Sequence, residues 1–302
     1  MSNLLDSFIH NFHPHCQYAK ARGMHLVKSE HNLNVFKDNK IIRFSLKHLH
    51  YSIDITRDFD HYFSSVESVK LEDYDMVDFS VPKAHAVIGY TKHPIFFTTL
   101  AEPISVTKQY LDFANLQEGQ VVIDLGAYSG LTSILFKDQV GSTGTVVAVE
   151  ADIKNFESME KNFQLYKEST GNQIESIYGV AWNNCDGLKF ASEGNMGSGV
   201  STYISGDRGA DVIEVASYTL SEIVRVKNLS RVDFIKCDIE KAESVVFEDP
   251  EFFKKFQPRI IVETHLGVDK NKIINDLGKF GYQHKIIEQI GHDLPLIEFI
   301  SK

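Results

Sequence analysis

A run of β-branched residues that leads straight into a glycine turn constrains the fold of this chain more than any other feature. Residues 121–130 are Val-Val-Ile-Asp-Leu-Gly-Ala-Tyr-Ser-Gly. Consecutive β-branched residues favour a central strand that is covered on both faces, as in a parallel sheet. Gly126 and Gly130 permit a sharp turn, and we expect them to leave room for a ligand against the backbone. A helix is predicted from residue 129 to about residue 136.

A second strand follows at the spacing of a βαβ unit and ends on an acid. Residues 145–149 are Thr-Val-Val-Ala-Val, and Glu150 follows directly. A carboxylate at the tip of the second strand can accept hydrogen bonds from both hydroxyls of a ribose. The two strands therefore predict a nucleoside-binding half of a sheet. A plain βαβ turn with incidental glycines is the alternative, and the position of Glu150 disfavours it.

The glycine spacing narrows the class of ligand. A dinucleotide fold uses G-x-G-x-x-G, whose backbone N–H groups hold a pyrophosphate at a helix start. Here only Gly126 and Gly130 are present, and Asp124 precedes them. An anion at that point repels a phosphate and suits an ammonium group. The pattern favours S-adenosylmethionine, which has an amino group, a sulfonium and a ribose but no phosphate. A nicotinamide dinucleotide is the alternative, and an NADH fluorescence titration would separate the two.

Composition limits the partners and the compartment. The chain has 302 residues, 43% of them apolar and 24% charged, which is ordinary for a globular protein. A formal charge of −10 argues against a nucleic-acid surface. No apolar run approaches the ~18 residues of a membrane helix, and the first residues lack the pattern of a signal peptide. Three widely spaced cysteines do not form a disulfide framework. We predict a cytoplasmic protein with no nucleic-acid or membrane partner; a homo-oligomer is an open alternative.

Residues 1–104 differ in composition from the rest of the chain. Ten of the thirteen histidines lie in this part. A hairpin is predicted around Asp38 and Asn39, a strand over residues 50–55, a short helix capped by Asp58 and a strand over residues 75–81. We interpret residues 1–104 as a small α+β cap with a role in substrate or oligomer contacts. Residues 105–302 then form the second domain.

A cluster near the N-terminus invites a metal-binding interpretation. His10, His13, His15 and Cys16 are the ligand types that a transition metal prefers. Pro14 prevents a regular helix from presenting them on one face. We therefore favour a polar terminus over a metal site.

A second informative stretch carries charge inside a predicted strand. In residues 231–240, Lys236, Asp238 and Glu240 share one face if the extended conformation lasts that far. Charges inside a central strand are costly unless they are paired or used. A neighbouring strand, residues 259–265, finishes with Glu-Thr-His. Ligands of open α/β sheets bind at the carboxyl ends of the strands. We therefore expect four acids to converge on one rim: Asp124, Glu150, Asp238 and Glu263.

These acids suggest the catalytic groups. Asp238 is the first candidate for a base that removes a proton from a hydroxyl, with Glu240, Glu263 and His265 in support. Asp238 and Glu263 also carry the oxygen ligands that Mg²⁺ prefers, so a divalent metal is an open alternative, and no metal ligand is assigned. A third possibility is an internal salt-bridge network in which Lys236 neutralises Asp238 or Glu240.

The candidate cofactor-binding residues lie on the glycine turn and on the next two strand ends. Residues 177–182 are predicted to form the third strand and its exit, and the exit should flank an adenine ring, although Trp182 could equally fill the core. The candidates are Asp124, Gly126, Ala127, Tyr128, Ser129, Gly130, Glu150, Ala151 and Ala181.

Over roughly residues 100 to 300 the sequence resembles the FkbM family of class I S-adenosylmethionine-dependent methyltransferases. The family motif D-x-G-A-N-x-G appears as residues 124–130, with Tyr128 where asparagine is usual. The motif K-x-D-x-E-G-x-E appears as residues 236–243, with Lys241 where glycine is usual. Tyr-Thr-Leu at 218–220 and Ile-Val-Glu at 261–263 also match.

The resemblance implies a fold and an activity. The implied fold is α/β, a Rossmann-like sheet of seven strands with an antiparallel last strand, and the two strands predicted at 282–287 and 296–300 agree with it. The implied activity is methyl transfer from S-adenosylmethionine to a hydroxyl of a sugar, glycan or natural-product acceptor. A non-catalytic binding protein of the same fold is the alternative, supported by the departures at Tyr128 and Lys241.

Overall fold

The structure is a computed structural model that describes residues 14–202, 210–290 and 294–301. The chain forms two compact units, one ending at Ile104 and the other beginning at Ser105. No helix among the described residues is both long enough and apolar enough to cross a membrane.

The first unit contains a five-stranded sheet in the order β1-β2-β3-β5-β4 and a separate two-stranded sheet of β6 and β7. A 3₁₀ helix, Leu46–Tyr51, and two short α-helices, Ser52–Arg57 and Phe59–Phe63, follow β3. The strands of this unit are β1 (Met24–Lys28), β2 (Asn32–Lys37), β3 (Lys40–Ser45), β4 (Val69–Leu71), β5 (Tyr74–Phe79), β6 (Lys83–His85) and β7 (Ile95–Phe97).

The sequence predictions for this unit have mixed outcomes. The hairpin is confirmed: Lys37 pairs with Lys40, and Asp38 turns the chain with φ of 51°. The strand predicted over residues 50–55 is wrong. Leu49, Ser52 and Ile55 are buried at a spacing of three residues, which is the period of a helix rather than a strand. Asp58 precedes a helix as predicted, but the predicted cap is wrong: its carboxylate accepts from Arg57 Nε and makes no hydrogen bond to the start of the helix.

The second unit contains a seven-stranded sheet in the order β10-β9-β8-β16-β17-β19-β18. β10, β9, β8, β16 and β17 are parallel, and β19 runs antiparallel to both of its neighbours. The predicted α/β sheet with an antiparallel last strand is confirmed. The strands of this unit are β8 (Val121–Leu125), β9 (Thr145–Glu150), β10 (Glu175–Tyr178), β11 (Val180–Ala181), β12 (Leu188–Ser192), β13 (Gly199–Val200), β14 (Asp211–Val215), β15 (Ser217–Tyr218), β16 (Phe234–Cys237), β17 (Arg259–Glu263), β18 (Tyr282–Ile287) and β19 (Leu296–Ser301).

Helices connect the parallel strands and bury apolar side chains against the sheet. One core cluster combines Ile123, Ile235 and Ile260 from the strands with Ile223 and Phe252 from the helices. The helix after the glycine turn starts at Leu131, two residues later than predicted. The helices are Ile104–Ala114, Leu131–Val140, Ile153–Thr170, Leu220–Val226, Glu243–Val246, Pro250–Lys255 and Lys270–Gly278.

The third strand is shorter than the sequence predicted. β10 ends at Tyr178, and β11 leaves the main sheet to pair with β15. Gly179 lies between them, where an added β-carbon would come within 2.5 Å of the Tyr218 ring and 2.8 Å of the Ala216 carbonyl oxygen. β12, β13 and β14 form a separate antiparallel sheet.

Candidate functional site

Four acids lie at the carboxyl ends of four adjacent parallel strands, β9, β8, β16 and β17, and we call this edge the rim. Glu150 and Glu263 are the last residues of β9 and β17, Asp124 is the penultimate residue of β8, and Asp238 directly follows β16. β8 and β16 are neighbours in the sheet although far apart in sequence, so strand order reverses between them. The rim therefore has the position that open α/β sheets use for ligands.

The glycine turn, residues 126–130, is held against the end of β9. Backbone N–H groups of Gly126 and Ala127 donate to the Val149 carbonyl at 3.0 and 3.1 Å. A β-carbon on Gly126 would lie 1.7 Å from the Asp238 carbonyl oxygen, and one on Gly130 would lie 2.5 Å from the Phe163 ring. The space beside these glycines is thus filled by the protein itself, and not left for a ligand as the sequence led us to expect.

Glu150 accepts hydrogen bonds from the two backbone segments beside the expected ribose position, the glycine turn and the residues that follow β9. Its Oε2 accepts the Tyr128 backbone N–H and its Oε1 accepts the Asp152 backbone N–H, each at 2.8 Å. Burial raises the pKa of the Glu150 carboxyl to about 7. Each carboxylate oxygen has a second lone pair, so both can still accept a hydroxyl group. Glu150 therefore fits the ribose of S-adenosylmethionine.

Ser129 adds a polar atom of the kind that a ligand can satisfy. Its hydroxyl oxygen is buried, and no hydrogen-bond partner for it is found in the described part of the chain. Buried polar groups normally have partners, so an orphaned hydroxyl on the glycine turn fits a bound cofactor.

Asp124 lies at the rim, but its carboxylate is enclosed by protein groups. It is fully buried, accepts the Ser133 hydroxyl at 2.6 Å and lies 3.4 Å from Lys236 Nζ. Burial raises the pKa of the Asp124 carboxyl, against the opposing effect of Lys236. Asp124 Oδ1 faces Lys236 at ion-pair distance but accepts no hydrogen bond from the described residues.

Lys236 forms part of the salt-bridge network that the sequence offered as an alternative. Its Nζ lies 3.3 Å from Asp238 Oδ2 and donates to the Gly126 carbonyl oxygen at 2.7 Å. The carboxylates paired with it are those of Asp238 and Asp124, whereas the sequence alternative named Asp238 or Glu240. The network joins the glycine turn to the candidate catalytic acids.

His265 lies among three carboxylates. Its Nε2 is 3.4 Å from Asp238 Oδ1 and 3.5 Å from Glu240 Oε1, and its Nδ1 contacts the Glu243 carboxylate. Burial by itself would lower the pKa of His265, but Glu240, Glu243 and Asp238 outweigh it and raise that pKa well above 6.5. The three carboxylates therefore favour the protonated form of His265.

Glu240 is the more accessible acid of this cluster, with a side chain that is 25% exposed. Burial raises the pKa of its carboxyl to about 7; Asp238 adds to the shift and His265 opposes it. The extended conformation does not last to Glu240, because β16 ends at Cys237. Glu240 and Lys241 instead take left-handed φ angles of 44° and 75° and bring the chain back toward His265.

Two residues of the candidate site, Glu243 and Tyr110, were not predicted from the sequence. Glu243 is fully buried and contacts His265, and its position as the last acid of the second motif was an available signal. Tyr110, from the helix Ile104–Ala114, donates its hydroxyl to Glu263. No sequence pattern links two residues that are 153 positions apart. Burial raises the pKa of the Glu263 carboxyl, and Asp238 adds to the shift.

The described residues contain one cluster with metal-ligand spacing, Asp238, Glu263 and His265, whose ligand atoms lie within 4.8 Å of one another. Of the N-terminal candidates, His10 and His13 lie outside the described residues, and His15 Nδ1 is 2.8 Å from the Ser52 hydroxyl.

The remaining cofactor candidates are close to the rim but largely enclosed. Ala127 and Tyr128 are 4% and 5% exposed, and Tyr128 has a left-handed φ of 50°. Ala181 belongs to the main core cluster. Ala151 and Trp182 pack against a small cluster of Val180, Phe190, Val200 and Val215, which favours the core interpretation of Trp182.

A family model described as the methyltransferase FkbM domain matches residues 124–290, more than half of the chain. A search of curated proteins finds no match. Among solved structures, a precorrin-6y C5,15-methyltransferase from Geobacter metallireducens GS-15 is similar with 13% identity and a TM-score of 0.43, over 67% of this chain and 89% of that chain.

Two further solved structures are similar at the same level. A methyltransferase FkbM from Methylobacillus flagellatus KT has 13% identity and a TM-score of 0.44, over 61% of this chain and 44% of that chain. An O-methyltransferase from Bacillus cereus, solved in complex with SAH, has 14% identity and a TM-score of 0.38, over 65% of this chain and 79% of that chain. From the extent of the family match, this chain belongs to the FkbM family of S-adenosylmethionine-dependent methyltransferases.

Proposed function

We propose that this chain methylates a hydroxyl oxygen of a small acceptor, a sugar, a glycan or a natural product. The observation that carries the proposal is the group of carboxylates around His265 on the same rim as the glycine turn. S-adenosylmethionine supplies an electrophilic methyl group on a sulfonium. An alcohol has a pKa far above 7, so its oxygen attacks well only while a base removes its proton.

We assign the base to Glu240. Its carboxyl has a pKa of about 7, where a general base works best at neutral pH, and its side chain is partly exposed. Asp238, the first candidate from sequence, lies between Lys236 at 3.3 Å and His265 at 3.4 Å. Its oxygens are therefore already engaged, and we assign it to positioning. Glu240 would take the hydroxyl proton as the oxygen bonds to the methyl carbon, and the bond between that carbon and the sulfonium sulfur would break, which would leave S-adenosylhomocysteine.

Charge favours a neutral or cationic acceptor. Four acids, Asp238, Glu240, Glu243 and Glu263, lie beside only two cationic side chains, His265 and Lys236, and Lys236 is shared with Asp124. An acceptor with a phosphate beside the reacting hydroxyl would be repelled. We therefore place uncharged sugars and natural-product alcohols ahead of phosphorylated compounds.

Residues 1–104 lie outside the matched family region, which begins at residue 124. We propose that this part contributes acceptor or oligomer contacts. Removal of residues 1–104 should then change the acceptor KM or the oligomeric state without abolishing the binding of S-adenosylhomocysteine by the rest.

The experiment follows tritium from labelled S-adenosylmethionine into a panel of small glycans and natural-product alcohols. Methyl ethers survive mild base, whereas methyl esters release methanol, so base treatment of the product separates hydroxyl from carboxyl acceptors. Glu240→Gln should lose about 100-fold or more in turnover but keep its affinity for S-adenosylhomocysteine. Glu251→Gln, at an exposed helix position, is the matched control. Full turnover in Glu240→Gln would remove the assigned role.

The non-catalytic alternative rested on Tyr128 and Lys241. Both residues have left-handed backbone conformations, which asparagine and glycine adopt most readily, so the turns of the family motifs are retained here. A non-catalytic chain would bind S-adenosylhomocysteine yet transfer no label to any acceptor. The nicotinamide alternative conflicts with the family assignment.

A further inference from the structure

Lys236 connects the two halves of the candidate site. Its side chain is 3% exposed, in the centre of the sheet. Its ammonium group donates to the Gly126 carbonyl oxygen at 2.7 Å and lies 3.4 Å from Asp124 and 3.3 Å from Asp238. A buried ammonium group is costly unless several oxygen atoms surround it. Here those oxygens come both from the part of the site expected to bind the cofactor and from the part expected to bind the methyl acceptor.

The backbone joins the same two segments. We call residues 238–243 the Asp238 segment. The Asp238 backbone N–H donates to the Leu125 carbonyl at 3.0 Å, directly before the glycine turn. A β-carbon on Gly126 would overlap the Asp238 carbonyl, so the two chains are in direct contact. A shift of the glycine turn must therefore move the start of the Asp238 segment.

We propose that Lys236 is a positioning residue which fixes the glycine turn and the Asp238 segment as one unit, so that cofactor binding orders the acceptor site. The inference rests on the proposed function only in placing the acceptor beside Asp238 and Glu240. Its physical basis is charge: an ammonium group shared by Asp124, Asp238 and the Gly126 carbonyl holds all three in one arrangement. The consequence is an energetic coupling between cofactor binding and the order of the Asp238 segment.

The chain provides a matched control. Lys137 is also buried, at 3% exposure, and donates to a glycine carbonyl, that of Gly144, at 2.6 Å. Unlike Lys236, it forms no ion pair within the described residues. A comparison of the two lysines therefore separates the loss of a buried lysine from the loss of the link between the two segments.

The first measurement is calorimetric titration with S-adenosylhomocysteine. Lys236→Met should bind about tenfold more weakly, the size of a typical coupling between two sites, because the glycine turn is then no longer held in place, while Lys137→Met stays within about twofold. Urea unfolding should show a loss of stability in both variants, larger in Lys236→Met because the buried Asp124 carboxylate then lacks its ion pair. Lys236→Arg, which keeps the positive charge, should recover most of the affinity. Wild-type affinity in Lys236→Met, or an equal loss in Lys137→Met, would overturn the proposal.

The second measurement is hydrogen exchange at saturating S-adenosylhomocysteine. In the wild type the ligand should slow amide exchange in residues 238–243 as well as in the glycine turn. In Lys236→Met the slowing should persist in the turn and be lost in residues 238–243. If Lys236→Met does not fold, the wild-type result decides, and unchanged exchange in residues 238–243 refutes the coupling. Neither measurement needs an acceptor, so a failure of methyl transfer would leave this result standing.

Discussion

Gly126 and the backbone carbonyl of Asp238 are in such close contact that a β-carbon on Gly126 would lie 1.7 Å from the carbonyl oxygen. Gly126, the first glycine of the first family motif, must therefore lack a side chain because Asp238 of the second motif packs against it. The two residues are more than a hundred positions apart in the sequence. The φ of 77° at Gly126 is a second requirement, since L-residues rarely adopt it.

The two requirements can be separated with Gly171. It has the same kind of φ, 76°, but nothing lies within 4 Å of an added β-carbon. Gly171→Ala should lower the free energy of unfolding by about 1 kcal/mol, the cost of the backbone conformation alone. Gly126→Ala should cost several times more in urea unfolding and should weaken binding of S-adenosylhomocysteine. Equal losses in the two variants would show that the contact with Asp238 does not matter.

Glu150 should dominate cofactor affinity. Glu150→Ala removes the ribose acceptor and also frees the backbone N–H groups of Tyr128 and Asp152. We expect affinity for S-adenosylhomocysteine to fall about 10- to 100-fold, as for the loss of charged hydrogen bonds. Glu175→Ala, at the start of β10 and paired with Lys227, is the control and should bind normally. Unchanged calorimetric affinity in Glu150→Ala would contradict the assignment.

The cofactor-free protein should be more stable in mild acid than in mild alkali. The carboxyl pKa values of Glu150 and Glu240 are raised from 4.5 to about 7, and the pKa of His265 is raised well above 6.5. Each group binds its proton more tightly when folded. The stabilisation is complete below the unfolded values, 4.5 for the acids and 6.5 for the histidine, and is lost as pH rises through the folded values.

The groups that face these three residues are Asp152 and Lys236 around Glu150, and Asp238, Glu243 and Glu263 around the Glu240–His265 pair. For Glu150 alone the difference between about pH 5.5 and about pH 8 is roughly 2 kcal/mol, because one pKa unit corresponds to about 1.4 kcal/mol and part of the shift lies below pH 5.5. Urea unfolding at about pH 5.5 and pH 8 measures it, and Glu150→Gln should flatten the profile. Higher stability at the alkaline pH would refute this prediction.

Lys241 should be replaceable by glycine with a gain in stability. Its φ of 75° costs a lysine about 1 kcal/mol, and glycine adopts it freely. Lys241→Gly should raise the free energy of unfolding by about 0.5 kcal/mol after the extra chain entropy of glycine is subtracted. Lys161→Gly, on the exposed face of the helix Ile153–Thr170, should instead lose about 1 kcal/mol. Destabilisation of Lys241→Gly would indicate that the lysine side chain makes contacts that matter more than its backbone.

Local sequence was sufficient for the sheet because strand identity depends on near neighbours. The β-branched runs at 121–123 and 146–147, the acids that end the strands and the glycine turn were all visible in single segments. Where local periodicity was weak, prediction failed: residues 50–55 alternate in sequence, yet their burial follows a helix. The sequence also predicted too late an end for β16, because the left-handed turn at Glu240 and Lys241 contains no glycine that would indicate a turn.

The sequence by itself determined that acids gather at one edge of a parallel sheet beside a glycine turn, since strand direction and residue order require it. Only the tertiary structure decided how those acids are paired: Asp124 with Lys236, Glu243 with His265, and Glu263 with Tyr110. Such pairings depend on the packing of segments that are far apart in the chain. Burial then raises the pKa values of Glu150 and Glu240, and burial depends on the complete tertiary structure.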